Sequence, residues 1–339
     1  MNNIADIFNS DAFNVASLTA AVNSMPYVPG RVGALNIFEE AGVATTTVAI
    51  EEKNGTLSLV PTTARGAPGT PNQVDKRKMR NLRIPHICIT DTVNADEIQN
   101  VRQFGSDNAL AGPQQVVSDR MGSMVPKIDA TIEHMRLGAI QGIVYDSDGT
   151  TPLYNLFTEF NVSQIGEIDF DLDAATPKAG ALRKKCSEVQ RAIEDELGAA
   201  VYDHIHCFCS SQFFDDLVEH PDARKAYELQ NSGAFLGART ARRTFEIFGI
   251  VFEEYRGVVN GVKFIADDKA HFFPVGVPGL FKTSFAPADY VETVNTIGIP
   301  RYAKQAPDTR FNKFVELEVQ SNPLCYCTKP RTLIKAKRT

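Results

Sequence analysis

The chain has 339 residues, 43% apolar and 22% charged, enough apolar material for one large core or two ordinary ones. Its 35 basic and 41 acidic residues leave a net charge of -6, which excludes an overall basic field for nucleic acid, so any contact with phosphates has to be local. No basic stretch leads into an apolar core at the start, nowhere do about eighteen apolar residues run uninterrupted, and six cysteines in this length do not make a disulfide framework; a reduced, cytoplasmic, non-membrane protein is expected.

In chain order, residues 1–40 read as an arm. Phe8, Phe13, Leu18 and Val22 suit a short amphipathic helix, which SMPYVPGRVG then breaks with its prolines and glycines. Next, TTTVAIEEKNGTLSLVP alternates Val48 and Ile50 with Ala49 and Glu51, pauses at Asn54-Gly55 and resumes with Leu57 and Leu59, the pattern of a tight hairpin. From Pro61 to Asn81 the only sizeable apolar side chains are Val74 and Met79, so this stretch cannot bury itself. It carries Lys76, Arg77, Lys78 and Arg80, with Arg83 just beyond. Two readings stay open: a solvated basic loop, or an extension that becomes ordered on a neighbouring molecule.

After Pro113, the residues Val117, Met121, Met124, Ile128, Ile132, Met135, Ala139 and Ile143 recur at steps of three and four. That spacing predicts a helix roughly 40 Å long, with its Met-rich stripe in a core and a bend at Pro126. GIVYDSDGTTPLYNLF predicts a second hairpin, turning at Asp148-Gly149. LRKKCSEVQRAIEDELG predicts a helix with Leu182, Cys186, Val189, Ile193 and Leu197 on one face and Gly198 as its stop. A shorter helix carries Phe213, Phe214, Leu217 and Val218 and ends near His220-Pro221. From Thr244 to Lys335 the chain is mostly strand-like, so the order lacks a regular βαβ alternation and fits an α+β architecture.

HIHCFC, His204 to Cys209, has the density of a metal site. Its composition favours a strand, however, which puts His204, His206 and Phe208 on one face and Ile205, Cys207 and Cys209 on the other, so the four ligands cannot converge. His204 with His206 could still chelate with a third ligand from elsewhere. The favoured role for Cys207, Cys209, Cys325 and Cys327 is that of small buried hydrophobes, with no metal and no cofactor. No phosphate loop, nucleophile elbow, dinucleotide fingerprint or zinc-protease helix is present, so no catalytic residue is assigned. EIDFDLD aligns Glu167, Asp169, Asp171 and Asp173 on one face if it is a strand, as a solvated or inter-subunit stripe, and its spacing is not that of a calcium loop. The basic C-terminal end, Lys329 to Arg338, has no interleaved aromatics and reads as a strand with a solvated end.

Several long stretches, in order, resemble the lambda-type major capsid proteins of tailed bacteriophages, the capsid protein E family. They are YVPGRVGALNIFEEAGVATTTVAIEEKNGTLSLV, RGAPG at Arg65 to Gly69, TIEHMRLGAIQGIVYDSDG, CFCSSQFFDDLVEHPDARKAY and QSNPLCYCTKPRTLIK. The resemblance implies the Hong Kong 97-type capsid fold, divided as N-terminal arm (1–44), extended loop (45–100), peripheral domain with a long spine helix (101–178), axial domain (179–300) and return to the peripheral domain (301–339). It further implies self-assembly into hexamers and pentamers of an icosahedral shell around double-stranded DNA, in the virion and assembled in the bacterial cytoplasm. A separate scaffolding protein and a portal are the partners it implies, with a decoration protein left open, only non-specific contacts to DNA and none to a membrane. Arg65, Lys76, Arg77, Lys78 and Arg80 then become candidates for contacts between subunits, with Glu167, Asp169 and Asp171 as acidic counterparts on a neighbour. Lys53 and Lys76 carry no mark of a covalent cross-link. The rival readings are a nanocompartment shell on the same fold and a metal-dependent cytoplasmic enzyme built on His204 and His206.

Overall fold

A computed structural model describes residues 14–25, 30–52, 78–98, 113–174, 176–230, 244–259, 261–311 and 313–339. The N-terminal elements are helix α1 (Val15–Ser24), a single turn α2 (Arg31–Ala34), strands β1 (Phe38–Gly42), β2 (Thr47–Glu52), β3 (Lys78–Arg83) and β4 (Ile87–Asn94), a turn α3 (Ala95–Ile98) and the long helix α4 (Pro113–Gln141). The middle holds β5 (Ile143–Tyr145), β6 (Pro152–Asn155), the short α5 (Leu156–Glu159), β7 (Ile168–Asp169), α6 (Ala181–Leu197), β8 (His204–Cys209), α7 (Ser211–Glu219) and α8 (Pro221–Gln230). Strands then dominate: β9 (Thr244–Ile247), β10 (Ile250–Glu254), β11 (Val258–Val259), β12 (Val262–Lys263), β13 (Lys269–Val275), β14 (Phe281–Phe285), β15 (Tyr302–Pro307), β16 (Phe314–Ser321), β17 (Pro323–Cys327) and β18 (Ile334–Lys337).

Helix α4 takes the stripe its spacing predicts: Val117, Met121, Met124, Ile128, Ile132, Met135 and Ala139 are all buried. At 29 residues it is about 40 Å long. Pro126 sits inside it and withholds the amide that the Gly122 carbonyl would accept. The helix stops at Gln141 because Gly142 adopts φ 84°, and a Cβ there would strike the Phe157 ring. Ile143, expected as the last member of the stripe, instead opens the β5–β6 hairpin. In its turn Asp148 accepts from the Thr150 and Thr151 amides, each at 2.9 Å, and from the Thr151 hydroxyl at 2.6 Å.

β2 pairs antiparallel with β3, in the register Thr47↔Arg83 to Glu52↔Lys78, which sets buried Val48 opposite buried Leu82. The tight turn expected at Asn54-Gly55, with Leu57 and Leu59 beyond it, lies outside the described residues; within them the partner of β2 is β3, which offers a matching apolar side chain. On α7, Phe213, Phe214 and Leu217 are buried behind the Ser210 cap, whereas Val218 is 38% exposed because that flank of the short helix faces outward. Pro221 does end α7, but it also opens α8, where a fixed φ and a missing amide are no handicap in the first turn.

The largest sheet has the order β7-β18-β13-β8-β10-β9, with β8 inside it, antiparallel to β13 and parallel to β10. Alternation along β8 sends Ile205, Cys207 and Cys209 into a core with α6 and α7, and Phe208 into another core with Phe273 and the α4 stripe. The sheet therefore separates two cores. Sheets β1-β14-β17 and β15-β16-β4 lie on the α4 side. These cores cross the limits expected at residues 178 and 300: Ile168, Phe170, Leu172, Ile334 and Ala336 belong to the α6 core, and Phe281 and Phe285 to the α4 core.

Candidate functional site

The strand that resembles a metal site is committed to other bonds. His206 is buried, and its Nε2 lies 3.1 Å from Oε2 of Glu253 on β10. Arg31 grips the same carboxylate twice, Nε to Oε1 and, at 2.6 Å, Nη2 to Oε2. Burial pushes the His206 imidazole below its ordinary value against the pull of Glu253. Burial works to raise Glu253, but hydrogen bonds from His206 and Arg31 win and hold it ionised. The result is a neutral histidine, an anion and a guanidinium joining the arm to the sheet. Behind the strand, burial raises the Cys207 thiol well above its ordinary value, and Cys209 donates its S–H to the Glu253 carbonyl at 3.3 Å. A thiol raised as Cys207 is stays protonated, whereas metal ligation needs a thiolate. Burial likewise lifts Cys325 to about 11 and Cys327 to about 12. Among the described residues no three His, Cys, Asp or Glu side chains converge as a metal site.

A second polar feature runs along α4 and was missed in the sequence. Asp129, Glu133 and Arg136 are buried on the flank of the apolar stripe. Arg301 meets Asp129 through Nη2, at 2.8 Å and 2.7 Å to its two oxygens, and donates to the Val22 carbonyl at 3.1 Å, closing the end of α1. Glu133 accepts from the Val32 amide at 2.5 Å and the Gly33 amide at 3.0 Å, donors of the first turn of α2 that its N-cap, Gly30, has no side chain to accept. Its carboxyl fills the space a Cβ on Gly30 would need. Burial raises the pKa of Glu133, opposed by those amides and by Arg136 and Arg31. Arg136 pairs with Glu40 of β1 and lies 5.6 Å from the Phe38 ring centroid. Three charged residues on one helix thus tie down α1, α2 and β1 in turn. The signal was their spacing of four and three, in phase with Ile128, Ile132 and Met135 and not opposite them.

The family model described as phage major capsid protein E matches residues 14–338. The chain belongs to the phage major capsid protein E family. It is 30% identical to the major capsid protein of Pseudomonas phage KPP10, over 96% of this chain and 97% of that one. It is 27% identical to the major capsid protein of Salmonella phage Felix O1, over 96% of each. In fold it is similar to the capsid protein of a prophage of Escherichia coli CFT073, with a TM-score of 0.60 at 13% identity over 96% of this chain and 99% of that one. The α+β architecture is thus the Hong Kong 97-type capsid fold. The chain is a phage major capsid protein: a structural subunit that assembles with copies of itself into the virion shell, in a family of shell proteins and not of enzymes.

For a capsid subunit the functional surfaces are those that meet other copies. Of the basic candidates, Arg65, Lys76 and Arg77 lie outside the described residues, and Lys78 begins β3 opposite Glu52. Arg80 is engaged within its own chain: it donates to the Glu159 carbonyl and stands 5.9 Å from the Phe160 ring centroid. Together with the Tyr154 hydroxyl, which donates to the Arg83 carbonyl, it fastens the β2–β3 ribbon to the region after α4. The acidic candidates also have lysines of their own. Glu167 meets Lys269 at 2.8 Å and Lys335 at 3.6 Å, Asp169 meets Lys337 at 2.8 Å, and Asp171 meets Lys185 at 3.9 Å. The expected strand through this stripe covers only Ile168–Asp169, because Asp169 accepts from the Asp171 amide at 3.0 Å and Asp171 turns to φ 49°.

Proposed function

We propose that the subunit builds hexamers and pentamers of an icosahedral shell that encloses double-stranded DNA, assembled in the bacterial cytoplasm with a separate scaffolding protein, a portal and a decoration protein. The observation that carries this reading is the match to phage major capsid proteins along nearly the whole chain. In this reading the α1–β1 region is the arm (1–44) and the β2–β3 ribbon is the base of an extended loop (45–100) that reaches onto a neighbour. Helix α4 is the spine of the peripheral domain (101–178, with 301–339), and the α6 core belongs to the axial domain, centred on 179–300. The basic residues Arg65, Lys76, Arg77 and Lys78 meet carboxylates of the adjacent subunit. Since Glu167, Asp169 and Asp171 already have lysine partners, they join this contact only by exchanging them. A net charge of -6 suits a wall that does not hold the genome by its phosphates.

Electron microscopy and sedimentation of the protein expressed with its neighbouring phage genes test the reading. Closed shells containing DNA are expected. Shells filled with an enzyme cargo would move the chain to the nanocompartment class, and compact monomers under every condition would remove the shell altogether.

A further inference from the structure

Helix α1 runs beside β15 in the opposite direction. Asn23, near the helix end, donates from Nδ2 to the Arg301 carbonyl at 2.8 Å, just ahead of the strand. Four residues earlier, Thr19 donates its hydroxyl to the Ala303 carbonyl at 3.3 Å and accepts from the Ala303 amide at 3.1 Å. Four helical residues rise about 6 Å and two strand residues about 7 Å, so the two elements keep step. The next step brings the start of α1 to Gln305. There Asn14, Val15 and Gln305 line one groove of ≈ 620 Å³, together with Ala16, Ile299 and Tyr302. Glu292, also lining it, is neutralised by Lys304, which reaches both its oxygens at 3.0 Å.

Asn14 is the N-cap of α1, with its side chain on the Ser17 amide at 2.7 Å and its own backbone extended at ψ 161°. The line of α1, continued backward past Asn14, leads along β15 toward Pro307 and the turn beyond. β15 is the edge strand of its described sheet, with β16 on its inner side. In the turn Asp308 accepts from the amides of Arg310 at 2.9 Å, Phe311 at 3.2 Å and Lys313 at 3.3 Å. Phe311 is 65% exposed, with the Arg310 guanidinium 5.1 Å and the Lys313 ammonium 5.5 Å from its ring centroid. The turn thus presents two cations on an aromatic side chain.

The segment ahead of Asn14 has the complementary chemistry. Residues 1–13 carry Ile4, Ile7, Phe8 and Phe13, the carboxylates of Asp6 and Asp11, and no basic side chain. Phe13 adjoins the residue that lines the groove. Asp11 stands three residues ahead of Asn14, and the turn begins three residues beyond Gln305; either span is about 10 Å in extended chain. A segment tethered at the groove's edge also meets it at an effective concentration of about a millimolar, an advantage no separate copy has. We infer that residues 1–13 lie along the outer edge of β15 in their own subunit, with Phe13 in the groove and Asp11 at Arg310 and Lys313. This clasp goes beyond the shell reading and does not depend on it, since it completes the surface of one subunit before that subunit meets another.

The test is a pair of cysteines, Asp11→Cys with Arg310→Cys, in a Cys88→Ser background, oxidised in the full chain. A disulfide within one chain is expected, read as a compact monomer band without reductant and as a joined pair of peptides, and neither single cysteine should give it. Ladders joining residue 11 of one chain to residue 310 of another would move the segment to a neighbour and overturn the inference, as would the absence of any link. Hydrogen exchange supplies a second reading. Phe13→Ser should speed exchange of the amides of residues 303–306 about thirtyfold, the worth of one buried phenylalanine, and leave those of β8 and α6 unchanged. A change confined to residues 15–18 would reduce Phe13 to a staple on Leu18 of its own helix and overturn the seat in the groove. No change at either place would overturn it as well.

Discussion

Helices α4 and α6 each bury one face, but they hold the molecule by different physics. The buried face of α6 is Leu182, Cys186, Val189, Ile193 and Leu197, apolar throughout. That of α4 includes Asp129, Glu133 and Arg136, each bound to a segment distant in sequence. An apolar face rewards whatever fills it with the right volume. A buried carboxylate rewards only the particular donor that neutralises it. The α6 core is therefore secured by volume, and the α4 core also specifies which part of the arm sits where. In a subunit that must present the same contacts in every copy, that second kind of fixation has an evident use.

The strongest way to break this contrast is at Asp129. Asp129→Ala leaves the buried Arg301 guanidinium without its carboxylate, and a loss of about 3–5 kcal/mol is expected in urea unfolding of soluble subunits. Replacing both partners, Asp129→Leu with Arg301→Met, should restore most of that stability, since the lone charge is gone. The double variant should nevertheless lose the hold on the Val22 carbonyl, so limited proteolysis should cut within residues 14–36 faster than in the unaltered chain. A cost below about 1 kcal/mol for Asp129→Ala would put the pair among weak surface bridges and end the distinction.

On the α6 side Ile193→Ala should cost about 3 kcal/mol, by lost transfer energy and the cavity left behind. Ile193→Leu, which keeps the volume, should cost less than about 1.5 kcal/mol. The split between these two sharpens the comparison, because no volume-conserving change should rescue Asp129. If Ile193→Leu were as damaging as Ile193→Ala, the α6 face would be as particular as the polar row.

The central sheet between the cores carries a pH signature. Burial pushes His271 down to about 3, assisted by Lys335 and Lys269 against Glu167. Its folded value lies below its unfolded one, so the unfolded chain binds the extra proton. The stability this group contributes is present above about pH 6.5 and is lost as the pH falls toward 3, by about 1.4 kcal/mol per unit. Stability measured between pH 6.5 and 5 should therefore fall on acidification, and His271→Gln should remove one proton's share of that slope. His206, His134 and His220 are lowered too and act in the same direction, while Glu133, raised by burial, acts against them. An unchanged slope in His271→Gln would mean that the imidazole is hydrated in the folded state.

Periodicity made much of this fold legible beforehand. It placed the buried stripes of α4 and α6, the β5–β6 turn and the alternation of β8, because each is a local consequence of where apolar side chains fall. What it could not supply was partnership over distance. The pairing of β2 with β3, the passage of Ile334 and Ala336 into the α6 core, and the bond from Arg301 to Asp129 all depend on chain closure that no window reveals. HIHCFC shows the same limit from the other side. Its alternation argued against four convergent ligands, but nothing nearby in sequence marks Glu253 and Arg31 as the partners of His206.

The smallest expected effect on the subunit belongs to the basic stretch that leads into β3 at Lys78. If their charges act between subunits and not within one, reversing Lys76, Arg77 and Lys78 to Glu should change the unfolding free energy of soluble subunits by less than about 0.5 kcal/mol. Arg80→Glu should cost more, since Arg80 is half-buried against Phe160 and bonds the Glu159 carbonyl. If the first three charges meet a neighbouring subunit, the triple reversal should lower shell yield at low salt, and the difference should shrink as salt screens both chains. Sedimentation of shells at two ionic strengths reads this directly. Equal yields from reversed and unaltered chains at low salt would dismiss the charged contact and leave the ribbon's role to its Arg80 and Tyr154 fastenings. A loss of subunit stability equal to that of Arg80→Glu would place the three charges, like Arg80, within their own fold.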